Sequence, residues 1–167
     1  MKVKGLIVLL FALALVGTVG PVRQTKAAAD GCHKINAQFA GAYVIPPDCP
    51  SPLGLCTQEQ IIGGGLLTGT SRGHFVAAVP LVATGLPVSP TILSYVFEFV
   101  ITTERGTLTL RDTGIFDQAS GEFTDLSRVV GGTERFEGAS GTLFLNGKFT
   151  DATSFEGDIS GEICLAY

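Results

Sequence analysis

Asp112 is the carboxylate of this sequence that most strongly suggests a chemical role. It follows Leu108 and Leu110 at period-two spacing, so we expect its side chain on the same inward face of a β-strand. A buried carboxylate is costly unless it is hydrogen-bonded or paired. Asp112 is therefore either a polar group at the mouth of a barrel, where it would bind or polarise a small ligand, or the cap of a strand that ends at Thr113 and Gly114.

Two further charged residues, Glu98 and Arg128, complete the set of candidate catalytic or binding residues. Glu98 lies between Phe97 and Phe99 and on the opposite face from them. Its side chain could point into a barrel or contribute to an oligomer surface, although plain solvent exposure is the preferred interpretation. Arg128 could pair with Asp112 or Glu98 in a buried network, or it could lie over its apolar neighbours with its charge in water.

Other motifs with catalytic associations are weak in this sequence. His74 has no partner acid at a recognisable spacing, so it is a poor candidate for a general base. The glycine-rich run at residues 63–69 lacks the Lys-Ser/Thr of a phosphate loop, and we interpret it as scaffold. A zinc site is disfavoured because the chain has only two histidines and no Cys-x-x-Cys pair.

The four cysteines, Cys32, Cys49, Cys56 and Cys164, indicate a protein of an oxidising compartment. Four cysteines allow three disulfide connectivities. We favour Cys49–Cys56, which closes a tight proline-bearing loop, and Cys32–Cys164, which ties the two ends of the mature chain. Cys164 shares the polar face of its strand, so we expect it to meet an N-terminal segment that lies outside the barrel.

Residues 1–29 have the order of features that is typical of a secretory signal peptide. Lys2 and Lys4 precede an apolar run over residues 5–20, and Ala27-Ala28-Ala29 supplies small residues before cleavage. An uncleaved anchor and a lipid-modified Cys32 are the alternatives. Cleavage removes four basic residues and no acidic ones, which changes the net charge from −4 to about −8. This acidic balance disfavours nucleic acid as a partner, and we expect no stable membrane insertion after cleavage.

Period-two alternation and frequent glycine and proline predict an all-β chain of short antiparallel strands. The strongest of these strands places Tyr95, Phe97, Phe99 and Ile101 on one face. The predicted strands cover residues 37–45, 60–70, 73–79, 91–103, 107–113, 121–130, 142–150 and 154–165. Eight such strands can close into an antiparallel β-barrel that is filled by side chains or holds one small ligand. A β-sandwich is the alternative.

The glycine-rich stretch over residues 129–141, Val-Val-Gly-Gly-Thr-Glu-Arg-Phe-Glu-Gly-Ala-Ser-Gly, resembles the signature of the allene oxide cyclase and dirigent barrel proteins. It is most similar to their small secreted relatives. The matching positions are Gly131, Gly132, Thr133, Phe136, Ala139 and Gly141. The family's usual glycine after the threonine is Glu134 in this chain, a departure within a turn. We expect Phe136 to plug the turn onto the barrel.

The resemblance implies an eight-stranded barrel that is often oligomeric and uses no metal or organic cofactor. The residue patterns predict a signal peptide at 1–29 and an N-terminal strand with a Cys/Pro-rich loop at 30–56. The resemblance covers roughly residues 57–165 and implies that the barrel core lies at 57–167. The expected function is binding of a small hydrophobic molecule, with steering of its cyclisation or coupling as an extension. The competing hypothesis is a non-catalytic exported barrel with a structural or interaction role. The expected location is extracellular, or periplasmic in a source with an outer membrane.

Overall fold

A computed structural model of the chain describes residues 31–84 and 89–166, and the predicted signal peptide therefore lies outside the described residues. Eight strands form one closed barrel in which each strand pairs antiparallel with the next and β1 pairs with β8. The strands are β1 (Cys32–Val44), β2 (Cys56–Ile62), β3 (Gly69–Pro80), β4 (Ile92–Thr103), β5 (Gly106–Asp117), β6 (Glu122–Gly132), β7 (Ser140–Phe149) and β8 (Ser154–Cys164). The predicted barrel is confirmed and the sandwich alternative is wrong.

Alternation along each strand decides which side chains fill the barrel. In β4, Tyr95, Phe99 and Ile101 are buried, whereas the intervening Val100 is exposed on the outer wall. The same period of two places Leu108 and Leu110 of β5 inside. Because successive side chains of a strand point to opposite faces, one sequence pattern supplies both the core and the outer surface.

The predicted strand over residues 60–70 is wrong, because the chain leaves the sheet in the middle of it. β2 ends at Ile62, and Gly63 adopts a left-handed φ of 75° that a strand cannot accommodate. A short 3₁₀ helix follows (Gly65–Leu67), and it buries Leu66 and Leu67 in one end of the barrel. The apolar residues that suggested a strand are therefore a plug.

The barrel closes along the seam between β1 and β8, where Cys32 and Cys164 are register partners and form a disulfide. The second disulfide joins Cys49 to Cys56. Both predicted pairings are confirmed. The expectation that Cys164 meets a segment outside the barrel is wrong, because Cys32 begins β1 and β1 is itself a strand of the wall.

The two ends of the barrel are filled differently, and we name them the plugged end and the mouth. The plugged end contains the β2–β3, β4–β5 and β6–β7 connections together with the Cys32–Cys164 disulfide. Its interior is a packed set of fully buried side chains: Leu67, Ile101, Leu108, Phe136, Leu143 and Ile163. The mouth is the opposite end, to which the β1–β2, β3–β4, β5–β6 and β7–β8 connections belong.

The glycine-rich stretch lies at the plugged end. It ends β6, forms a 3₁₀ turn (Glu134–Phe136) and enters β7, and it drives the Phe136 side chain fully into the core. A side chain at Gly132 would collide with the backbone of Phe136, so this glycine is required by close approach. Glu134 adopts a left-handed φ of 53°, a conformation that favours glycine. The expectation that Phe136 packs the turn onto the barrel is confirmed.

Candidate functional site

A cavity of about 280 Å³ occupies the mouth half of the barrel. Its wall is mostly apolar and draws side chains from all eight strands. The ten aromatic residues that line it are Phe39, Tyr43, Phe75, Tyr95, Phe97, Phe99, Phe116, Phe123, Phe149 and Phe155. The barrel is therefore plugged at one end and hollow at the other.

The aromatic side chains of the wall contact one another. Phe75 packs edge-on against Phe97 with ring centroids 4.9 Å apart, and it also meets Tyr95 at 5.3 Å. On the other side of the mouth, the Tyr43 and Phe149 ring centroids are 5.4 Å apart. Tilted and edge-to-face pairs of this kind are the favoured aromatic geometries. Such contacts fix the ring orientations, so the cavity wall is largely preformed.

Three carboxyl groups interrupt this apolar wall. Asp112 on β5 is 1% exposed, Asp125 on β6 is 6% exposed and Glu59 on β2 is 8% exposed, and all three line the cavity. The prediction that Asp112 faces the interior is confirmed. The alternative that it caps a strand end is wrong, because β5 continues through Thr113 and Gly114 to Asp117.

Each carboxyl group has a hydroxyl neighbour on the adjoining strand. Ser127, the register partner of Asp112, donates to its Oδ1 atom, and Ser71, the register partner of Glu59, donates to that side chain. The Tyr95 hydroxyl donates to Asp125. Among the described residues, the Oδ2 atom of Asp112 and the Oδ1 atom of Asp125 have no hydrogen-bond partner. Two buried carboxyl acceptors, together with the Thr57 Oγ1 atom that also lines the cavity, therefore remain for a ligand.

Burial dominates the electrostatics of the cavity. Desolvation, reinforced by the nearby Asp125 charge, raises the pKa of Asp112 to about 8, although the Ser127 hydrogen bond opposes the shift. Desolvation raises the pKa of Asp125 to about 6 against the opposing hydrogen bond from Tyr95. The pKa values of Glu59, Tyr95 and Tyr43 are also raised by burial. At neutral pH the protonated Asp112 can donate a hydrogen bond or a proton.

The space for these acids is created by small inward residues. A side chain at Gly114 would collide with both the Tyr95 ring and the Asp125 carboxyl group, and a side chain at Gly41 would collide with Glu59. Glycine at these two inward positions allows the polar groups to lie against the wall. The polar layer is thus part of how the barrel packs.

The loop between β1 and β2 borders the mouth and is tied to the neighbouring strand β3. The Cys49–Cys56 disulfide closes it, and the Ser51 hydroxyl donates to the Phe75 carbonyl oxygen at 2.7 Å. The Phe75 amide in turn donates to the Leu55 carbonyl oxygen at 3.1 Å. Leu55 thereby lines the cavity from this loop. The disulfide positions part of the entrance.

Glu98 and Arg128, the other two predicted site residues, lie on the outer wall. Glu98 forms an ion pair with Arg111, its register partner on β5, and its Oε2 atom is 3.9 Å from the His74 Nε2 atom. Arg128 is exposed beside Arg111. The interpretation that Arg128 pairs with Asp112 is wrong, because the two side chains point to opposite faces of the wall.

Glu59, Asp125 and Tyr95 were not identified as site residues from the sequence. Asp125 follows Phe123 and precedes Ser127 at period two, so the alternation that identified Asp112 would also have placed Asp125 inside. Glu59 was missed because the predicted strand began one residue later. Tyr95 was placed on the inward face of β4 but had no polar partner until Asp125 was recognised.

The comparisons with known proteins leave the site to be interpreted from its own geometry. Neither the protein-family models, nor the curated proteins, nor the solved structures contain a match to this chain. Within the described residues, no helix is long and apolar enough to cross a membrane.

Proposed function

We propose that this protein is an exported barrel that binds one small hydrophobic molecule, with a polar group, in the mouth cavity. The observation that carries the proposal is the cavity of about 280 Å³, in which ten aromatic side chains surround Glu59, Asp112 and Asp125. A barrel filled by aliphatic side chains along its whole length would have favoured a purely structural role. The two disulfides are consistent with export.

The size and chemistry of the cavity limit the ligand. An engineered protein cavity of about 150 Å³ accommodates benzene, so the mouth has room for roughly one ring with a short side chain. The apolar wall favours an aromatic or alicyclic body. The buried acids lie deep between the rings and would meet a single polar group at one end of that body. An amphiphilic molecule of this size satisfies both requirements.

The resemblance to allene oxide cyclase and dirigent barrels supports an extension of this proposal. A preformed aromatic wall holds a flexible ligand in a restricted set of conformations, which lowers the entropy cost of an intramolecular cyclisation or of a directed coupling. Asp112 is the residue that would polarise the ligand. Membership of that family and the expected homo-oligomer both stay predictions.

The experiment that tests binding uses the mature protein and the neutral single-ring fluorophore 4-(dimethylamino)benzonitrile, which is within the size limit of the cavity. We expect enhanced, blue-shifted emission with a stoichiometry of one per chain. Replacement of Ala78, which lines the cavity at its rim, by Trp should reduce the affinity at least tenfold because the indole occupies the entrance.

Ala77→Trp is the matched control. Ala77 is the register partner of Val96, whereas Ala78 is the partner of the inward-facing Tyr95. The Trp at position 77 should therefore leave the affinity within twofold of the wild-type value. If the wild-type protein does not bind the fluorophore, or if both variants bind equally well, the ligand does not occupy the mouth and the proposal is wrong.

A further inference from the structure

We infer that the ligand of the mouth cavity is a protonated primary or secondary amine with an aromatic or alicyclic body. This inference rests on the proposed function and adds the chemical class of the ligand's polar group. The observations that carry it are the unbalanced set of buried acids and the two acceptor atoms that remain free.

The cavity contains acids without a compensating cation. Glu59, Asp112 and Asp125 line it, and none of the described lining residues is lysine, arginine or histidine. The nearest arginines along β5 and β6, Arg111 and Arg128, are on the outer wall. An unpaired buried carboxylate is costly, so an acid in such a wall tends to stay protonated until a cation pairs with it. A cationic ligand would supply the missing partner.

The free acceptor atoms define what kind of cation fits. The Oδ2 atom of Asp112 and the Oδ1 atom of Asp125 are buried, and no described residue donates to either of them. Asp125 is the register partner of Gly114, two residues along β5 from Asp112 and on the same inward face. An ammonium group carries up to three N–H donors and can donate hydrogen bonds to two neighbouring carboxyl groups. A quaternary ammonium ion has no N–H and would leave both acceptors unsatisfied.

The aromatic wall suits the same ligand. Aromatic ring faces attract cations, most strongly where water is excluded. The Tyr95 hydroxyl already donates to Asp125, so this tyrosine holds the carboxyl group in place against the ring cluster formed with Phe75 and Phe97. The ammonium group would meet the acids while the body of the ligand packs against the surrounding rings.

Amine binding must change the protonation of the site. The titratable groups that face Asp112 within the lumen are Asp125 on β6, Glu59 on β2, Tyr95 on β4 and Tyr43 on β1. Because the pKa of Asp112 is about 8, this group is mostly protonated at pH 7 in the free protein. A bound ammonium favours the ionised carboxylate. Binding of the protonated amine should therefore release protons to the buffer.

The experiment is isothermal titration calorimetry of the mature protein at pH 7 with three matched ligands. They are 2-phenylethylamine, its neutral analogue 2-phenylethanol and the quaternary benzyltrimethylammonium ion. We expect the amine to bind at least tenfold more tightly than the other two. Titration in two buffers of different ionisation enthalpy should show net proton release for the amine and none for the alcohol.

Variants separate the cavity from the acidic outer surface. Asp112→Asn should weaken amine binding at least tenfold and should weaken alcohol binding by a smaller factor, so that the preference for the amine is lost. Asp158→Asn, which removes an exposed carboxylate on the outer face of β8, should change neither. Ala78→Trp should weaken amine and alcohol binding alike. Thermal unfolding of each variant verifies that it is folded.

The outcomes distinguish this inference from the function on which it rests. If 2-phenylethanol binds as tightly as 2-phenylethylamine, the amine inference is overturned while the hydrophobic site stands. Tighter binding of the quaternary ion would overturn the assignment of an N–H donor. If neither the three ligands nor 4-(dimethylamino)benzonitrile bind, the proposed function itself fails.

Discussion

The plugged end and the mouth are built from the same eight strands but have opposite chemistry. At the plugged end, Phe136 and its aliphatic neighbours fill the interior completely. At the mouth, aromatic rings leave a cavity, and Asp112 and Asp125 lie in its wall. Under the proposed function, this difference is a division of roles along the barrel axis: the plugged end supplies stability, and the mouth contains a costly polar layer that would bind the ligand.

Individual strands show how closely these two regions are joined. In β5, Leu110 is a core residue and Asp112, the next inward side chain, belongs to the cavity wall. In β4, the sequence runs from Tyr95 at the mouth to Ile101 at the plugged end. Because the backbone ladder continues through both regions, the rigid end can hold the mouth residues in fixed positions.

The two disulfides should differ most in their contribution to stability. Cys32–Cys164 spans 132 residues and Cys49–Cys56 spans 7. In the chain-entropy model these loops correspond to about 5 and about 2.5 kcal/mol, respectively. We therefore expect the Cys32→Ser/Cys164→Ser variant to lose more unfolding free energy in urea than Cys49→Ser/Cys56→Ser does. The Cys49→Ser/Cys56→Ser variant should instead perturb ligand binding. A larger loss of unfolding free energy in Cys49→Ser/Cys56→Ser than in Cys32→Ser/Cys164→Ser would contradict the separate roles of the plugged end and the mouth.

Truncation of one phenylalanine at each end compares their packing directly. Phe136 is fully buried, so Phe136→Ala should cost about 3–5 kcal/mol of unfolding free energy. Phe116 lines the cavity and is only half-buried, so Phe116→Ala should cost roughly 1–2 kcal/mol. Chemical denaturation measures both. Equal losses would show that the mouth is packed as tightly as the core.

The pH dependence of stability tests the polar layer. The pKa of Asp112 is about 8 in the folded protein against 3.8 for a free aspartate, so between these values the folded state binds more protons than the unfolded state. Its contribution to stability is complete below pH 3.8 and is lost as the pH rises through 8. The wild-type protein should therefore have a higher melting temperature at pH 5 than at pH 8.

Asp112→Asn removes this titration and should narrow the difference in melting temperature between pH 5 and pH 8. We expect the variant to melt at least about 3 °C above the wild-type protein at pH 8. Asp125, with its pKa of about 6, and Glu59 would account for the pH dependence of the melting temperature that remains in this variant. Asp158→Asn is the exposed control and should retain the wild-type slope. An unchanged pH dependence of the melting temperature in Asp112→Asn would show that Asp112 is not the group that takes up the proton on folding.

The smallest expected effect concerns the turn at the plugged end. Glu134 has a φ of 53°, where a side chain costs roughly 1–2 kcal/mol relative to the ordinary helical region. Glu134→Gly relieves that cost but increases the entropy of the unfolded chain, so we expect a net gain of about 0.5 kcal/mol. Glu137, with a φ of −59°, is the control, and Glu137→Gly should be destabilising. Equal effects of the two changes would exclude backbone strain at Glu134.

Much of the fold could be predicted because it depends on local alternation. The period of two identified the inward faces of β4 and β5, and the same pattern placed Asp112 inside. The disulfides followed from an even cysteine count and from which loops each pair would close. These inferences need no knowledge of which strands meet across the barrel.

The other features of the fold and of the site depend on how the strands pair with one another, which the sequence of a single strand does not reveal. Glu98 and Arg128 were candidates because they interrupt apolar runs, yet the closed barrel places both on its outside. The apolar pair Leu66 and Leu67 suggests a strand. Because Gly63 and Gly65 adopt left-handed φ values, the pair instead lies in a 3₁₀ helix that plugs one end of the barrel. The meeting of Asp112 with Asp125 depends on the pairing of β5 with β6. Such juxtapositions come from tertiary pairing rather than from local propensity.

The separate roles of the two ends can be tested most directly by NMR of leucine methyl groups during titration with 2-phenylethylamine. Leu55, Leu93 and Leu145 line the mouth cavity, whereas Leu67, Leu108 and Leu143 are fully buried at the plugged end. We expect saturable methyl chemical-shift changes and ligand-to-methyl contacts that are confined to Leu55, Leu93 and Leu145. Intermolecular contacts at the second three, or shifts on exposed surface residues alone, would contradict a ligand site in the mouth.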